Sequence, residues 1–151
     1  MKRILSFMIF FLLLLPISFV QAVTPAPKLI ISTILIELGK IKQSQVLERV
    51  LAIQNIGNMD LVISSISIDC PCTSFQALDK DGKYQPLQQD SKITIAPGEK
   101  IDLKLIFDSN KTKYQGEFKK LIVISSNDPE APMKRLEMLG EIEVLLPETG
   151  R

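Results

Sequence analysis

Short apolar stretches separated by turn residues recur along most of this chain. In the clearest of them, apolar side chains fill every second position from Ile101 to Phe107, and Asp102 and Lys104 stand between them. A period of two buries one face of a β-strand and leaves the other face in water. Similar stretches, rich in β-branched residues, lie at 29–38, 47–55, 61–70, 74–78 with 84–88, 92–96, 100–107, 118–125 and 133–144. The chain is therefore predicted to consist almost entirely of strands.

Turn-forming residues stand between these stretches. Pro97-Gly98 suits the two central positions of a type II turn, because the second position takes a positive φ that glycine adopts readily. Polar loops are predicted at two further places, one around Gly57 and one around Asn127 and Asp128. The predicted structural turns thus rest on Gly57, Pro97, Gly98, Asn127 and Asp128.

Strands of this length and spacing are typical of a β-sandwich. We predict an all-β, immunoglobulin-like β-sandwich of about seven to nine strands for residues 29–145. The sequence lacks the tryptophan and the widely spaced cysteine pair of an antibody domain, so the likeness is one of architecture. Residues 23–28, which contain two prolines, are predicted to form an extended lead-in, and residues 146–151 a C-terminal tail.

The first residues have the order of a secretory signal peptide. A cationic start at 1–3 precedes an uninterrupted apolar run over 7–15, and Val20-Gln21-Ala22 ends in small side chains. The run is shorter than the roughly 20 apolar residues of a membrane-spanning helix, so we expect cleavage before Val23 rather than an uncleaved anchor. The expected product is exported, periplasmic or extracellular, and does not span the membrane.

The composition excludes several classes of function. The sequence has no histidine, which rules out Ser-His-Asp and Cys-His catalysis and every histidine-ligated metal site. Removal of residues 1–22 takes away Lys2 and Arg3 and changes the formal net charge from +1 to −1. The remaining charges are interspersed and form no basic stripe, so nucleic acid is not an expected partner.

Cys70-Pro71-Cys72 is the motif with candidate chemistry. Residues two apart in a strand point to the same face, so both sulfurs are predicted to lie side by side at the end of the 61–70 strand. Pro71 cannot donate to a ladder, which favours a strand end or edge. Such residues in an extended strand lie near the upper limit for a disulfide bond, and Pro71 disfavours a tighter bend. We therefore expect the pair to be reduced or only loosely oxidised.

Three roles for the cysteine pair stay open. Free cysteines often serve as small buried apolar residues. Export to an oxidising compartment makes a redox-active pair the second possibility. Thiolates also bind Cu(I) or Zn(II), so Cys70 and Cys72 are the candidate metal ligands, although two thiolates alone leave such a site incomplete. The prediction for cofactors is none, with copper as the alternative.

Eight short motifs occur in a characteristic order: Gly39-Lys40, Asn55-Ile56-Gly57-Asn58, Leu61-Val62-Ile63, Cys70-Pro71-Cys72-Thr73, Ile95-Ala96-Pro97-Gly98-Glu99, Phe107-Asp108-Ser109, Ser126-Asn127-Asp128-Pro129 and Gly140-Glu141. In this order the chain resembles the exported bacterial family catalogued as Domain of Unknown Function 1573, kin to the immunoglobulin-like ASH modules. The resemblance runs from about Ile34 to Ile142. It implies an immunoglobulin-like sandwich and export, without a settled function. The family usually has Cys-Gly-Cys where this chain has Pro71.

The sequence as a whole favours a non-catalytic interaction module. Its loops or edge strands would bind another exported protein or an envelope component. A thiol-redox or copper-handling protein that uses the Cys-Pro-Cys motif is the alternative. Hydrolase activity is not expected, because no nucleophile and base can be paired without histidine. Oxidoreductase activity is not expected from the leading interpretation either.

Overall fold

The structure is a computed structural model that describes residues 24–78, 81–88 and 91–143. The predicted signal peptide, its cleavage site at Ala22–Val23 and the predicted tail at 146–151 lie outside these residues. Within the described ranges, no segment forms a helix that is long and apolar enough to cross a membrane.

The described residues form ten strands and a single 3-10 turn at Ser109–Lys111. The strands are β1 (Leu29–Ile31), β2 (Leu35–Lys42), β3 (Val46–Asn55), β4 (Leu61–Ile68), β5 (Thr73–Leu78), β6 (Tyr84–Leu87), β7 (Ile93–Ile95), β8 (Lys100–Asp108), β9 (Gly116–Ser126) and β10 (Met133–Glu143). They build two five-stranded sheets, ordered β1-β3-β8-β5-β6 and β2-β10-β9-β4-β7. The predicted all-β sandwich is confirmed.

The strand count exceeds the predicted seven to nine, because the apolar stretch at 29–38 forms two strands rather than one. β1 pairs antiparallel with β3 of the first sheet, whereas β2 pairs parallel with β10 of the second. Between them, the Thr33 hydroxyl donates to the Leu35 carbonyl at 2.7 Å and accepts from the Leu35 N–H at 3.1 Å. These local bonds replace ladder bonds where the chain leaves the first sheet and enters the second.

The core lies between the two sheets and consists of the alternate residues that the period of two predicts. Leu103, Leu105 and Phe107 of β8 are fully buried, and Phe107 stacks on Phe118 with ring centroids 5.2 Å apart. The other large side chains with almost no exposure come from both sheets: Leu29, Ile41, Leu51, Ile53, Leu61, Ile63, Ile95, Ile122, Ile124, Leu136 and Met138. Residues 133–143 form a closing strand, as the sequence predicted.

The four edge strands offer little backbone to a further strand. β1 and β7 have three residues each, and β6 contains Pro86, which has no N–H. Along the longer edge strand β2, Thr33 occupies both backbone groups of Leu35, and Arg49 Nε reaches the Glu37 carbonyl at 3.4 Å. Short, Pro-containing and side-chain-covered edges resist pairing with another chain. This result weakens the expectation that edge strands bind the partner.

The chain between β7 and β8 turns at Pro97-Gly98. The Glu99 N–H donates to the Ala96 carbonyl at 3.0 Å, and Gly98 has a φ of 78°. This is the hydrogen bond and the positive φ that a type II turn requires. The Gly98 N–H in turn donates to the Asn55 carbonyl at 2.8 Å, so the turn is fastened to the end of β3.

Gly98→Val should lower the free energy of unfolding by about 1–3 kcal/mol, because a β-branched residue is disfavoured at positive φ. No atom lies within 4 Å of a Cβ added at this position, so the cost comes from the backbone conformation rather than from a clash. Gly98→Asn is the matched control, since asparagine tolerates the left-handed region. Urea unfolding of the three proteins measures the difference. Equal stability of the valine and asparagine variants would contradict the assigned turn.

Candidate functional site

Three loops and the lead-in meet at one end of the sandwich. We call this end the loop pole and define it by residues 24–28, 56–60, 96–99 and 127–132. The pole contains all five residues predicted to form turns, and two buried polar residues fasten it: Asn55, at its base, and Asp128. Loops that a rigid scaffold holds in place commonly carry binding residues in proteins.

The side chain of Asn55 is completely buried and makes four hydrogen bonds. Its Oδ1 accepts from the Lys28 N–H at 3.2 Å and from the Gly57 N–H at 3.0 Å. Its Nδ2 donates to the carbonyls of Met59 at 2.7 Å and Ile95 at 2.9 Å. A side-chain amide offers two donors and two acceptor lone pairs, so every position is used.

The backbone of Asn55 extends the same network. Its N–H donates to the Glu99 carbonyl at 3.0 Å, and its own carbonyl accepts from Gly98. One residue thereby joins the loop that follows it, 56–60, to two parts of the chain that are distant in sequence: the lead-in, and the end of β7 with the turn before β8. Buried polar groups are costly unless they are bonded, so these segments are held in one arrangement.

Gly57 lets the lead-in pass directly over the 56–60 loop. A Cβ at this position would lie 2.6 Å from the Lys28 nitrogen and 2.7 Å from the Pro27 carbonyl carbon. Around it, the Ile56 N–H donates to the Lys28 carbonyl at 3.0 Å, and Asn58 exchanges hydrogen bonds with Ala26. The lead-in has no regular secondary structure, yet it is tied to the pole along its length.

Asp128 fastens the start of β1. One carboxylate oxygen accepts from the Leu29 N–H at 2.8 Å, and the other accepts from the N–H groups of Glu130 at 2.9 Å and Ala131 at 3.3 Å. Burial by itself would raise the pKa of Asp128, but these three donors and the charge of Lys134 outweigh it and hold the pKa below its usual value. The ionised form is therefore the one that the fold stabilises.

Asn127, the neighbouring predicted turn residue, ties the same loop to β4. Its Oδ1 accepts from the Val62 N–H at 2.8 Å, its Nδ2 donates to the Asp60 carbonyl at 3.0 Å, and its own N–H donates to the Val62 carbonyl at 3.1 Å. Asn127 and Asp128 thus bond in opposite directions, one toward the second sheet and one toward the first.

The exposed part of the pole carries both apolar and charged side chains. Ile56 is 51% exposed and Met59 is 49% exposed. A shallow cavity of about 300 Å³ lies beside Ile56 and is also lined by Pro27 and Pro129. At its border, the Lys28 Nζ and a Glu130 carboxylate oxygen form an exposed ion pair at 2.8 Å. Apolar and polar side chains occur together in protein-binding surfaces.

The cysteine motif lies away from the pole, and its structure corrects the sequence analysis. The predicted 61–70 strand ends at Ile68, and residues 70–73 form a turn in which the Thr73 N–H donates to the Cys70 carbonyl at 3.2 Å. The turn brings the two cysteine Cα atoms to 5.1 Å, and the sulfurs form a disulfide bond. The expectation of a reduced pair is wrong because it assumed extended backbone, whereas Pro71 suits the second position of a turn. The other half of the expectation, a disulfide that is only loosely oxidised, stays a prediction.

No group of three or more histidine, cysteine, aspartate or glutamate side chains in the described ranges is placed to hold a metal ion. Cys70 and Cys72 are both buried, and a metal is bound by thiolates rather than by a disulfide. A copper site on this pair therefore requires prior reduction, and the copper alternative remains a prediction without structural support.

The topology defines an immunoglobulin-like sandwich in which the first strand divides between both sheets. The chain belongs to the family described as protein of unknown function DUF1573, whose model matches residues 29–142. The family resemblance drawn from the short motifs is thereby confirmed. A comparison with curated proteins finds no match.

Solved structures share this fold at low sequence identity. A protein of unknown function from Porphyromonas gingivalis W83 has a TM-score of 0.61 and 20% identity; the match covers 82% of this chain and 51% of that one, so this chain spans about half of it. The ASH/PapD-like domain 7 of human CEP192 has a TM-score of 0.54 and 14% identity over 87% and 96%. A family 123 glycoside hydrolase from Clostridium perfringens has a TM-score of 0.58 and 7% identity over 76% and 24%. These likenesses show the fold alone.

Sequence reasoning placed Asn55 in a turn and missed its buried role. The signal was present in the alternation of β3, because Leu51 and Ile53 face the core and the same period of two carries position 55 inward. A polar residue at an inward position must find hydrogen bonds there. The bonds of Asp128 to β1 had no such signal, since its partner Leu29 is 99 residues away in sequence.

Replacing Asp128 by asparagine tests the pH dependence that its lowered pKa implies. The lowered pKa means that the ionised carboxylate contributes stability above the unfolded-state pKa of about 4, and that this contribution is lost as the pH falls through the folded-state pKa. The free energy of unfolding of Asp128→Asn should therefore be about 1–3 kcal/mol lower than that of the unaltered protein at neutral pH. The difference between the two proteins should become smaller below about pH 4. Urea unfolding at neutral and acidic pH measures it.

Asp60→Asn is the matched control, because Asp60 is an exposed residue of the same pole. Its effect should be small at every pH. A stability gap for Asp128→Asn that stays constant from neutral to acidic pH would contradict the assigned role of the carboxylate.

Proposed function

We propose that this protein is an exported, non-catalytic module that binds another protein of the envelope or the exterior through its loop pole. The observation that carries the proposal is the pairing of exposed apolar side chains with a fixed backbone: Ile56 and Met59 are about half exposed on a loop that Asn55 holds at both ends. A loop that a rigid scaffold holds in place and that presents apolar side chains offers a partner a preformed contact.

Preorganisation strengthens this argument. Binding a mobile loop costs the entropy of ordering it, whereas a loop already fixed by buried hydrogen bonds avoids most of that cost. The Asn55 amide bonds the backbone of Gly57, which follows Ile56, and the backbone of Met59 itself. Methionine also adapts its shape to different apolar partners, which suits the edge of an interface.

The edges of the sheets are less suited to binding a partner than the loop pole. Strand addition to an edge is a common way to bind an extended peptide, but it needs free backbone groups. The four edges here are short, contain Pro86, or are covered by Thr33 and Arg49. We therefore assign partner binding to loop side chains rather than to an edge strand.

The predicted export of the protein fits partner binding at the loop pole. The predicted cleavage site precedes Val23, and the described chain enters the pole at Thr24. Removal of residues 1–22 would free the pole from the segment that targets the chain to the membrane. An intact mass that begins at Val23 in the exported protein tests this step, and retention of residues 1–22 would contradict it.

Site-specific crosslinking tests the binding surface. A photoreactive amino acid placed at Met59 in cells that export the protein should give a discrete adduct, identified by mass spectrometry. The matched control is the same substitution at Val46, which is 53% exposed and lies at the start of β3, the strand that ends at the pole. We expect the adduct at Met59 and none at Val46.

Two further variants separate binding from the alternatives. Ile56→Ser should abolish the adduct at Met59 while leaving the melting temperature nearly unchanged, because the side chain is half exposed. Cys70→Ser with Cys72→Ser should keep the adduct if the protein still folds. An equal adduct pattern at Met59 and Val46, or an adduct that survives Ile56→Ser, would contradict binding through the pole.

A further inference from the structure

A cleft opens between the two sheets at the side of the sandwich beside the disulfide. Its volume is about 410 Å³, within the usual size of ligand sites. Ile66 and Ile68 of β4 line it from the second sheet, and Phe75 of β5 and Leu87 of β6 line it from the first. Cys70 also lines the cleft, and the rest of the lining is Pro71 and the polar residues Asp69, Thr73, Ser74 and Gln88, so the disulfide borders a space with one apolar and one polar part.

The two sulfurs are not equivalent. Both cysteines are buried, but Cys70, which is 6% exposed, contributes to the lining of the cleft, whereas Cys72, which is 2% exposed, does not. The Cys72 N–H donates to the Cys70 Sγ at 3.3 Å, which places a partial positive charge beside that sulfur. The hydroxyl of Thr73 lies 3.7 Å from the Cys72 Sγ. An incoming thiolate thus meets Cys70, and a hydroxyl stands beside the sulfur that would leave.

We propose that this cleft is a thiol–disulfide exchange site, in which Cys70 is attacked by a cysteine thiolate of a partner polypeptide segment with apolar flanking residues. The proposal does not rest on the binding function of the loop pole. The apolar walls define the class of substrate, because burial of leucine-sized flanking side chains would hold the cysteine next to Cys70.

The exchange transfers two electrons and two protons from a substrate dithiol to the protein disulfide. The substrate thiolate forms a bond to the Cys70 Sγ, the bond between Cys70 and Cys72 breaks, and its electron pair passes to the Cys72 sulfur, which takes up a proton. If the substrate has a second thiol, its thiolate attacks the substrate sulfur of the mixed disulfide and releases Cys70. The substrate then loses two electrons and two protons, and the protein disulfide gains them. One chain oxidises one dithiol and no further turnover is implied.

Trapping the mixed disulfide tests the proposal. The purified protein is mixed with one of two single-cysteine peptides of equal length, one with leucine and valine around the cysteine and one with serine and glutamine. The reaction is quenched with acid, alkylated with N-ethylmaleimide and analysed by mass spectrometry. We expect the peptide on Cys70, the alkyl group on Cys72, a rate proportional to peptide concentration, and at least about tenfold faster reaction of the apolar peptide.

A pair of variants tests the role of the cleft. Leu87→Gln should remove the preference for the apolar peptide, because Leu87 is a half-buried lining residue on an edge strand. Leu78→Gln is the matched control: Leu78 lies on the neighbouring strand β5, is 38% exposed and does not line the cleft, and it should keep the preference.

Several results would overturn the proposal. A rate that levels off at the rate of global unfolding as the peptide concentration rises would show that the disulfide reacts only when the core opens. Equal rates for both peptides, attachment to Cys72, or no mixed disulfide would also exclude a substrate cleft. The reaction rates of the two peptides with the unaltered protein test the substrate cleft even if Leu87→Gln fails to fold.

Discussion

The buried amide of Asn55 is the constraint on which the arrangement of this domain depends. Each buried group of the amide that lacked a hydrogen-bond partner would lower the stability of the fold by about 1–3 kcal/mol. The fold is therefore stable only when all of these hydrogen bonds form together. Here the amide and its backbone contact the lead-in, two loops and the end of a short edge strand. The lead-in in turn precedes β1, whose first N–H is bound by Asp128. The loop pole is thus a single bonded unit.

This unit explains how a small sandwich can present apolar side chains without losing order. The core between the sheets is aliphatic and closes around the Phe107–Phe118 stack. In the described ranges, every buried side-chain nitrogen or oxygen has a hydrogen-bond partner. The edges of the sheets are short or covered, and the two surfaces to which we assign recognition are the pole and the cleft beside the disulfide. The two lie on different parts of the fold and support separate proposals.

The sequence predicted the elements well, because a period of two with turn residues between strands is a local signal. It predicted the glycine of the 96–99 turn for the same reason. It failed where the outcome depended on distant residues. The division of the 29–38 stretch between two sheets depends on pairing with both β3 and β10. The disulfide formed because the chain turns after Ile68 instead of staying extended. The apolar cleft and the bonds of Asp128 likewise require residues that only the fold brings together.

Amide hydrogen exchange in Asn55→Ala tests most directly whether one buried amide organises the loop pole. The amides of Lys28 and Gly57, which donate to the Asn55 side chain, should exchange about 10–100 times faster than in the unaltered protein, since each lost bond is worth about 1–3 kcal/mol. Amides in the middle of β9 and β10 should change much less, and Asn58→Ala, an exposed neighbour, should affect only the lead-in. A uniform increase across both sheets, or unchanged exchange at Lys28 and Gly57, would contradict the account.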